Sequence, residues 1–378
     1  MVGLRFSASK VALVTGLHDF GDPAEQLLDC VYQDREELLA RDAARLRLRV
    51  VSKDEVLELL VRKSGAAAAP QLRAALRWAR DRAAPAHVEA AQRLLAGVDR
   101  RLAEAQQSRK LAQGEAREAR KLLAGEIHMS VGARNESLAL QAYERQTGSK
   151  VRLTNEHFYF LTFPAPPTAD GEEALVDYSL LAEQSQRTVI RKRQSRQAAE
   201  SVATVDLTTE DSDEDESVEE EESPDGYFSI CGMVDGVADA LTISADDEWG
   251  LTPVVVEVKN RVRGFRDPPP LYDHIQLAVY MKMLGVEHGD LVQCMYGADS
   301  CPNIQVSRVS LGVAPLCLPA SSTEQRQRDI WTEVIVPRLY AFTAAVQKLR
   351  NEELLRLAFL NGTEEERLAI VRAECDFL

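Results

Sequence analysis

Residues 254–260 read VVVEVKN, a run of β-branched apolar residues that also carries one carboxylate and one ammonium group. Such apolar runs are typical of buried strands. Glu257 and Lys259 are two residues apart, and side chains two apart in a strand point to the same face. Burying both charges costs free energy unless a partner uses them. A divalent cation would use the carboxylate, and a phosphate group would use the lysine.

A second strand-like run precedes this stretch. Residues 227–241 read YFSICGMVDGVADAL, and the polar residues 244–250, SADDEWG, lie between the two runs. A polar linker that ends in glycine between two strand-like runs predicts a hairpin. This hairpin would bring Asp235 beside Glu257. Further along the chain, Gln276 and Tyr280 are four residues apart in an apolar helical segment, so they share one face of that helix.

Three short motifs therefore follow one another along the chain, namely Gly232-x-x-Asp235, Glu257-x-Lys259 and Gln276-x-x-x-Tyr280. This ordered set resembles the PD-(D/E)xK nuclease superfamily, and especially its branch that contains the phage lambda exonuclease and the YqaJ-like viral recombinases. A lone Glu-x-Lys occurs by chance in most proteins, whereas the ordered set is more specific. The resemblance implies an α/β fold with a restriction-endonuclease-like core, in which helices flank a mixed central sheet. The alternative is a solvated strand face with an ordinary salt bridge.

Residues 132–148 read GARNESLALQAYERQTG, and the apolar side chains at helical spacing predict a helix that ends at Gly148. The stretch resembles a helix of the phage-type nucleases, G-x-x-x-E followed by A-x-x-x-Y-E-x-x-T-G. In those enzymes the early glutamate points into the active site and helps to bind metal. The resemblance assigns this role to Glu136. The alternative is an exposed first-turn glutamate that interacts favourably with the helix dipole.

The resemblance implies a hydrolase that cleaves phosphodiesters with Mg²⁺ or Mn²⁺. The metal ligands would be oxygen atoms, as hard divalent cations prefer, from Glu136, Asp235, Glu257 and the Val258 carbonyl. Lys259 would orient or deprotonate the attacking water, or neutralise charge in the transition state. Gln276 and Tyr280 would position the lysine and the DNA backbone. The implied catalytic set is Glu136, Asp235, Glu257, Lys259, Gln276 and Tyr280.

The choice of aspartate is open to two competitors. Pro224-Asp225 spells the letters of the superfamily name, but it ends a polar run before the strand begins. Asp239 is four residues beyond Asp235 and would share its strand face, which makes it a second-choice ligand. Asp235 is preferred because we expect it within the strand that pairs with Glu257.

Several residues are candidates for contacting DNA. Residues 6–20, FSASKVALVTGLHDF, resemble the opening of the phage-type nucleases, which implies that Ser7, Ser9 and Lys10 contact a terminal phosphate. Helix capping by serine is the alternative. A basic, proline-rich loop follows the predicted strand that carries Glu257 and Lys259. We expect phosphate contacts from Arg134, Arg261, Arg263 and Arg266.

The chain of 378 residues is interpreted as a single nuclease domain over 1–378 with two insertions. Residues 35–125 form a predicted helical insertion, and the net charge of +6 over 71–125 fits either a phosphate-binding surface or a solvated helical hairpin. Residues 186–224 form a predicted disordered insertion, because a charged segment with few aromatic residues cannot bury enough apolar surface to fold. We also expect closing strands at 291–296 and 304–310, and a long helix at 323–358 kinked at Pro337.

The second insertion carries two interaction motifs. Arg191-Lys192-Arg193 is typical of a nuclear-localisation patch, or of a flexible basic tract. The segment Val205, Asp206, Leu207, Thr208 resembles a SUMO-interacting motif, followed by acidic residues and by Ser212 and Ser217. A short β-branched segment can add as a strand to an exposed sheet edge, so SUMO or a SUMOylated protein is a predicted partner. The alternative is a plain acidic linker.

Composition restricts the class of protein. Residues 201–225 hold twelve Asp or Glu and no Lys or Arg, so they account for most of the net charge of −15 and leave room for a basic surface elsewhere. Six cysteines without a CxxC pair indicate reduced thiols in an intracellular protein, for which the basic patch favours the nucleus. No apolar run approaches the ~20 residues that a membrane span needs.

Together these features predict an exonuclease that acts on linear DNA ends in repair or recombination. Two alternatives stay open at this point. The chain could be a structure-specific endonuclease, or a nuclease-like scaffold that binds DNA or SUMO without catalysis.

Overall fold

The structure is a computed structural model that describes residues 3–81, 83–167, 176–191, 226–243, 249–297, 301–318 and 328–378. Within these ranges the chain has two mixed sheets flanked by helices, so the predicted α/β class is confirmed. The predicted SUMO-interacting residues 205–208 and the serines at 212 and 217 lie outside the described residues. Asp225 and residues 192–193 of the basic tract do so as well.

The strands of the described ranges are β1 (Leu4–Ser7), β2 (Val151–Arg152), β3 (His157–Phe163), β4 (Gln186–Arg191), β5 (Phe228–Gly232), β6 (Gly236–Ile243), β7 (Trp249–Asn260), β8 (His288–Tyr296), β9 (Pro302–Ser310), β10 (Cys317–Leu318) and β11 (Arg328–Asp329). One sheet has the order β1-β5-β3-β4, and the other has the order β2-β6-β7-β8-β9. In the second sheet β7 and β8 are parallel, and the other neighbours are antiparallel.

The helices are α1 (Val11–Val14), α2 (Pro23–Val31), α3 (Glu36–Leu46), α4 (Lys53–Lys63), α5 (Ala69–Arg80), α6 (Val88–Gln107), α7 (Gln113–Thr147), α8 (Tyr178–Glu183), α9 (Leu271–Leu284), α10 (Val336–Asn351), α11 (Glu353–Asn361) and α12 (Glu364–Glu374). A 3-10 turn at Ala8–Lys10 precedes α1. None of the helices in the described ranges combines the length and the apolar composition that a membrane crossing requires.

The run 227–241 forms two strands, which corrects the prediction of one. The chain leaves the first sheet at Gly232, the end of β5, and enters the second at Gly236, the start of β6. A Cβ atom at Gly232 would lie only 2.8 Å from Cε1 of Tyr280, so this close approach requires glycine. Asp235 therefore lies at the crossing between the sheets, immediately before β6 and not within it.

The predicted hairpin is confirmed, because β6 and β7 pair antiparallel with Gly236 opposite Val256. The side chains of β7 alternate between two apolar clusters. Val256 and Val258 pack in a cluster with Tyr143 of α7, whereas Val255 belongs to the larger core that includes Ile275 of α9. Helix α9 connects the parallel strands β7 and β8 and ends at Gly285, which has a φ of 71°. Glu257 and Lys259 consequently lie on the α9 side of the sheet.

The predicted insertion 35–125 is helical, and much of it has a core of its own. Helices α4 to α6 and the first half of α7 share an apolar cluster with members such as Leu60, Leu72, Val98 and Leu123. The predicted end of this insertion at residue 125 falls inside a helix. Helix α7 is 35 residues long and continues without a break through Glu136.

Two further predicted boundaries are also corrected. Residues 186–191, assigned to the disordered insertion because of their basic neighbours, form β4 and pair with β3. The predicted helix 323–358 starts later, as a π-helical turn at Trp331–Ile335 followed by α10. Pro337 lies in the first turn of α10, where proline is well tolerated, and the helix is interrupted at Glu352 instead.

Candidate active site

A cleft of about 260 Å³ lies where α7, the crossing between the sheets and the end of β7 meet. Three acidic side chains line it, Glu136 from α7, Asp235 from the crossing and Glu257 from β7. Lys259 and Asn260 complete the side contributed by β7. The structure therefore brings together the four charged residues that the motifs single out.

Glu257 and Lys259 form a tight ion pair on one face of β7. The Nζ atom of Lys259 lies 2.9 Å from Oε1 of Glu257 and donates to Oε1 of Gln276 at 2.6 Å. The Nε2 atom of Gln276 in turn donates to Oε1 of Glu257 at 2.8 Å. The Lys259 side chain is only 18% exposed, so this triangle fixes the direction of its ammonium group.

Asp235 and Glu136 are each held by a neighbouring hydrogen bond. The backbone amide of Val258 donates to Oδ2 of Asp235 at 2.7 Å. The side-chain amide of Asn155 donates to Oε1 of Glu136. Asn155 lies in the turn between β2 and β3 with a φ of 50°, a conformation that asparagine tolerates better than most residues. Asp235 is thus positioned by β7, and Glu136 is positioned by the turn that follows β2.

The three carboxylates disfavour one another's charge. Burial raises the pKa of Asp235, and the carboxylates of Glu257 and Glu136 raise it further. Burial also raises the pKa of Glu136, and it raises the pKa of Glu257 against the opposing effect of Lys259. Burial lowers the pKa of Lys259, but the carboxylates of Glu257 and Asp273 have the larger effect, so this pKa is raised overall. Such mutual repulsion in a cleft is typical of sites that a cation or a charged substrate stabilises.

Two oxygen atoms of the cleft also need a partner. Oε2 of Glu257 and Oδ1 of Asn260 are buried and have no hydrogen-bond partner among the described residues. Unsatisfied buried acceptors cost free energy, and a hard divalent cation prefers oxygen ligands of this kind. The donor set therefore fits Mg²⁺ or Mn²⁺. Within the described ranges, no group of three His, Cys, Asp or Glu side chains is arranged in this structure so that it could hold a metal ion.

The structure adds residues that sequence reasoning missed. Asp273, which is buried in the first turn of α9, lies 3.9 Å from Nζ of Lys259 and accepts a hydrogen bond from Arg261. Gln293 of β8 is fully buried and accepts from Nε of Arg261 at 2.9 Å. An acidic residue in a first helical turn is already explained by the helix dipole, so the sequence offers no separate signal for Asp273.

Tyr280, the last residue of the motif set, lies one turn beyond Gln276 and is 5% exposed. It packs against the backbone at Gly232 instead of pointing openly into the cleft. Its contact with the crossing between the sheets suggests that it supports the position of Asp235.

Two of the predicted DNA-binding arginines are engaged within the protein. The guanidinium of Arg134 donates to backbone carbonyls, including that of Ala84, and lies over the ring of Trp78 at 4.8 Å. Arg261 is bound by Asp273 and Gln293. A role in positioning the loops fits these two residues better than contact with phosphate. Arg263 is exposed, and Arg266 donates to the hydroxyl of Tyr272 at 2.7 Å.

The predicted phosphate contacts at the start of the chain lie outside the cleft of the carboxylates. The hydroxyls of Ser7 and Ser9 are 3.0 Å apart, and the side chain of Ser7 does not cap the following turn. Ser9 and Lys10 line a separate cavity of about 650 Å³. The second-choice ligand Asp239 is corrected, because it pairs with Arg152 at 2.6 Å and does not line the cleft.

Comparisons with known protein families, with curated proteins and with solved structures found no match to this chain. Inferences about its function therefore rest on the geometry of the cleft and on the motifs that line it.

Proposed function

We propose that the chain is a metal-dependent DNA nuclease, and more narrowly an exonuclease that degrades linear DNA from its ends during repair or recombination. The observation that carries this proposal is the convergence of Glu136, Asp235, Glu257 and Lys259 on one cleft. These residues come from three separate parts of the sequence, and their order is that of the PD-(D/E)xK motifs. A restriction-endonuclease-like core is part of the proposal. It is supported by the hairpin β6–β7 beside the parallel pair β7–β8.

The proposed metal ligands are Glu136, Asp235, Glu257 and the Val258 carbonyl, all of which line the cleft. A bound Mg²⁺ or Mn²⁺ would polarise the scissile phosphate and lower the pKa of the attacking water. Asp235 is oriented for this role by the amide of Val258, and Glu136 by the side chain of Asn155. Because each carboxylate is already oriented by a hydrogen bond, little reorganisation is needed when a substrate enters.

Lys259 supplies a positive charge to the proposed reaction centre. Its ammonium group is directed by Glu257 and Gln276 and can donate to a phosphate oxygen or to the attacking water. Asp273 keeps Arg261 beside this group, so the loop that follows β7 is anchored where the DNA backbone would pass. The exposed cation of this loop, Arg263, and the arginine at its end, Arg266, are the proposed backbone contacts.

The decisive experiment incubates the pure protein with end-labelled linear duplex DNA and with covalently closed circles, with and without Mg²⁺. We expect linear DNA to be degraded from its ends in Mg²⁺, while closed circles stay intact and EDTA stops the reaction. The variant Asp235→Asn is the matched control, since it removes the charge and keeps the side-chain shape.

The other outcomes separate the alternatives. Rapid nicking of closed circles under the same conditions would replace the exonuclease by an endonuclease. Binding of DNA without any metal-dependent cleavage, with wild type and Asp235→Asn behaving alike, would reject the nuclease and leave a binding scaffold. The intracellular, nuclear setting is part of the proposal and is tested by imaging a tagged chain with and without substitution of residues 191–193.

A further inference from the structure

A short aromatic stack lies between the loop after α1 and the start of α9. The ring of His18 stacks on the ring of Tyr272, with 4.2 Å between the centroids and an interplanar angle of 25°. Phe20 meets the edge of His18, with 6.4 Å between the centroids. Phe20 is the outermost of the three aromatic rings and is 77% exposed to solvent.

The loop that carries Phe20 is fixed by packing. A Cβ atom at Gly21 would lie 1.9 Å from Cδ1 of Leu13, and one at Gly16 would lie 2.7 Å from the carbonyl oxygen of Phe377. The amide of Phe20 donates to Nδ1 of His18 at 3.2 Å. A single exposed apolar side chain is common on protein surfaces. Here the exposed ring meets the edge of the His18 ring at an interplanar angle of 87° and is presented by a closely packed loop.

The stack is connected directly to the proposed reaction centre. Tyr272 precedes Asp273, whose carboxylate lies 3.9 Å from Nζ of Lys259. Burial lowers the pKa of His18, so its ring stays neutral and suited to stacking near neutral pH. Two consecutive residues of α9 therefore carry the inner ring of the stack and a carboxylate near Lys259.

Cations flank the stack on two sides. Lys10 lines the same cavity as His18 and Phe20, and Arg266 is bonded to the hydroxyl of Tyr272. Five acidic residues also line this cavity. Asp22 caps α2, Glu25 pairs with Lys53 and Lys121, and Asp54 pairs with Arg80. Asp29 lies 3.8 Å from Lys53, and Glu126 is the fifth. An aromatic face between two cations is the arrangement that binds a base together with its neighbouring phosphates.

We propose that Phe20 and the His18–Tyr272 stack bind an unpaired nucleobase next to the scissile phosphate, so that a single-stranded or frayed DNA end is the preferred substrate. The proposal rests on the proposed nuclease function and deepens it. A base inside a duplex is already stacked on both faces, whereas a terminal unpaired base can place one face on Phe20. Since every base has such a face, the preference is for strandedness and not for sequence.

The test measures binding of a fluorescent oligothymidylate to the full-length protein by anisotropy, at low salt and in EDTA so that nothing is cleaved. We expect Phe20→Ala to weaken binding about tenfold, as loss of one stacked base does, and Phe20→Trp to keep the wild-type affinity. The control is Leu354→Ala on α11, which removes another exposed apolar side chain, 84% exposed, and should bind like wild type. Thermal unfolding of each variant checks that the fold is kept.

Equal affinities for wild type and Phe20→Ala would overturn the proposal. So would a wild-type protein that shows no binding up to about 100 μM, the weak end of ordinary non-specific affinity. A parallel cleavage assay in Mg²⁺ compares DNA with single-stranded overhangs and blunt duplex, and the Phe20→Ala defect should be confined to overhangs. Phe20-dependent binding without cleavage would reject the nuclease and retain the nucleobase site. Cleavage that ignores Phe20 on both substrates would retain the nuclease and reject the nucleobase site.

Discussion

The backbone amide of Val258 donates a hydrogen bond to Oδ2 of Asp235, with 2.7 Å between the nitrogen and the oxygen. Val258 is the residue between Glu257 and Lys259, so this bond ties Asp235 to the strand that carries the other two charges. The position of Asp235 is further set by the pairing of Gly236 with Val256 in the hairpin. The spatial relation of the three charged groups is thus a product of strand register.

Substitutions in this trio should separate chemistry from folding. We expect Asp235→Ala, Glu257→Ala and Lys259→Ala each to lower the rate of DNA cleavage by about 10²-fold or more, because each removes a charged group of the proposed reaction centre. Rates are measured on end-labelled linear DNA, and circular dichroism checks the fold. Asp239→Ala is the control, since that carboxylate pairs with Arg152 and should be dispensable. Near wild-type cleavage by any two of the three variants would reject the site assignment.

Glu136 extends this series. Its carboxylate lines the same cleft from α7. Glu136→Ala should slow cleavage less than Asp235→Ala does, because Asp235 and not Glu136 is hydrogen-bonded to the strand that carries Glu257 and Lys259. An unchanged rate would place Glu136 outside the reaction.

Gly232→Ala should destabilise the protein and slow cleavage together. The added Cβ would lie 2.8 Å from Cε1 of Tyr280, whose ring is buried and cannot move freely. Overpacking of this kind costs about 1–3 kcal/mol of unfolding free energy. Gly97→Ala in α6 is the control, because its Cβ would meet no described atom within 4 Å, and it should stabilise the helix by about 0.5–1 kcal/mol. Equal unfolding midpoints in urea for Gly232→Ala and wild type would contradict the close contact.

Lowering the pH should destabilise the folded protein, partly through protonation of Glu25. Burial raises the pKa of Glu25, but hydrogen bonds from Lys121 and Lys53 outweigh it and hold this pKa at about 2, below its ordinary value of about 4.5. The folded pKa lies below the unfolded one. The pairing is therefore fully stabilising above pH 4.5 and is lost as the pH falls towards 2. In urea unfolding at a series of pH values, Glu25→Gln should flatten the dependence of stability on pH in this window. A pH dependence for Glu25→Gln that equals that of wild type would refute the assignment.

Deleting residues 199–223 should leave cleavage intact, because a charged segment with few aromatic residues contributes little to a core. The deletion removes twelve acidic residues, so DNA affinity should rise at low salt. The gain should fade as salt is added, since exposed charges are screened beyond about 10 Å at 0.1 M ionic strength. A deletion variant that has lost its activity at every salt concentration would give this segment a part in catalysis.

Replacing both Val205 and Leu207 by Ala should abolish binding to SUMO without changing the cleavage rate, because apolar side chains anchor an added strand. Titration of labelled SUMO with a 199–223 peptide measures the affinity, with and without phosphate on Ser212 and Ser217. A peptide that gives no saturable signal in either form would be a plain acidic linker.

The motifs with a regular local period were predictable from the sequence. The alternation of β7 located Glu257 and Lys259, and the four-residue spacing placed Gln276 on the face of α9 that reaches them. Residues whose roles depend on distant partners were not predictable. Arg134 and Arg261 look like free cations in the sequence, yet their partners come from a loop near Ala84 and from Asp273 and Gln293.

The helix predicted over 132–148 is not separate from the helical insertion that precedes it. Gly125 and Gly132 both lie inside α7, in positions where an added Cβ would meet no described atom within 4 Å. Glycine costs a helix only about 1 kcal/mol relative to alanine, which burial of the adjoining apolar face readily offsets. The break between β5 and β6, by contrast, begins at the close contact between Gly232 and Tyr280, which no local pattern reveals.

The continuity of α7 bears on how this protein can be dissected. The helix is about 50 Å long at 1.5 Å per residue, with Ile127 and Val131 in the core of the helical insertion and Glu136 and Tyr143 in the proposed catalytic half. A truncated chain lacking residues 35–125 would keep the second half of this helix but leave Ile127 and Val131 without their packing partners. Composition suggests a detachable module here, but the shared helix means that the helical insertion and the proposed catalytic half have to be expressed together.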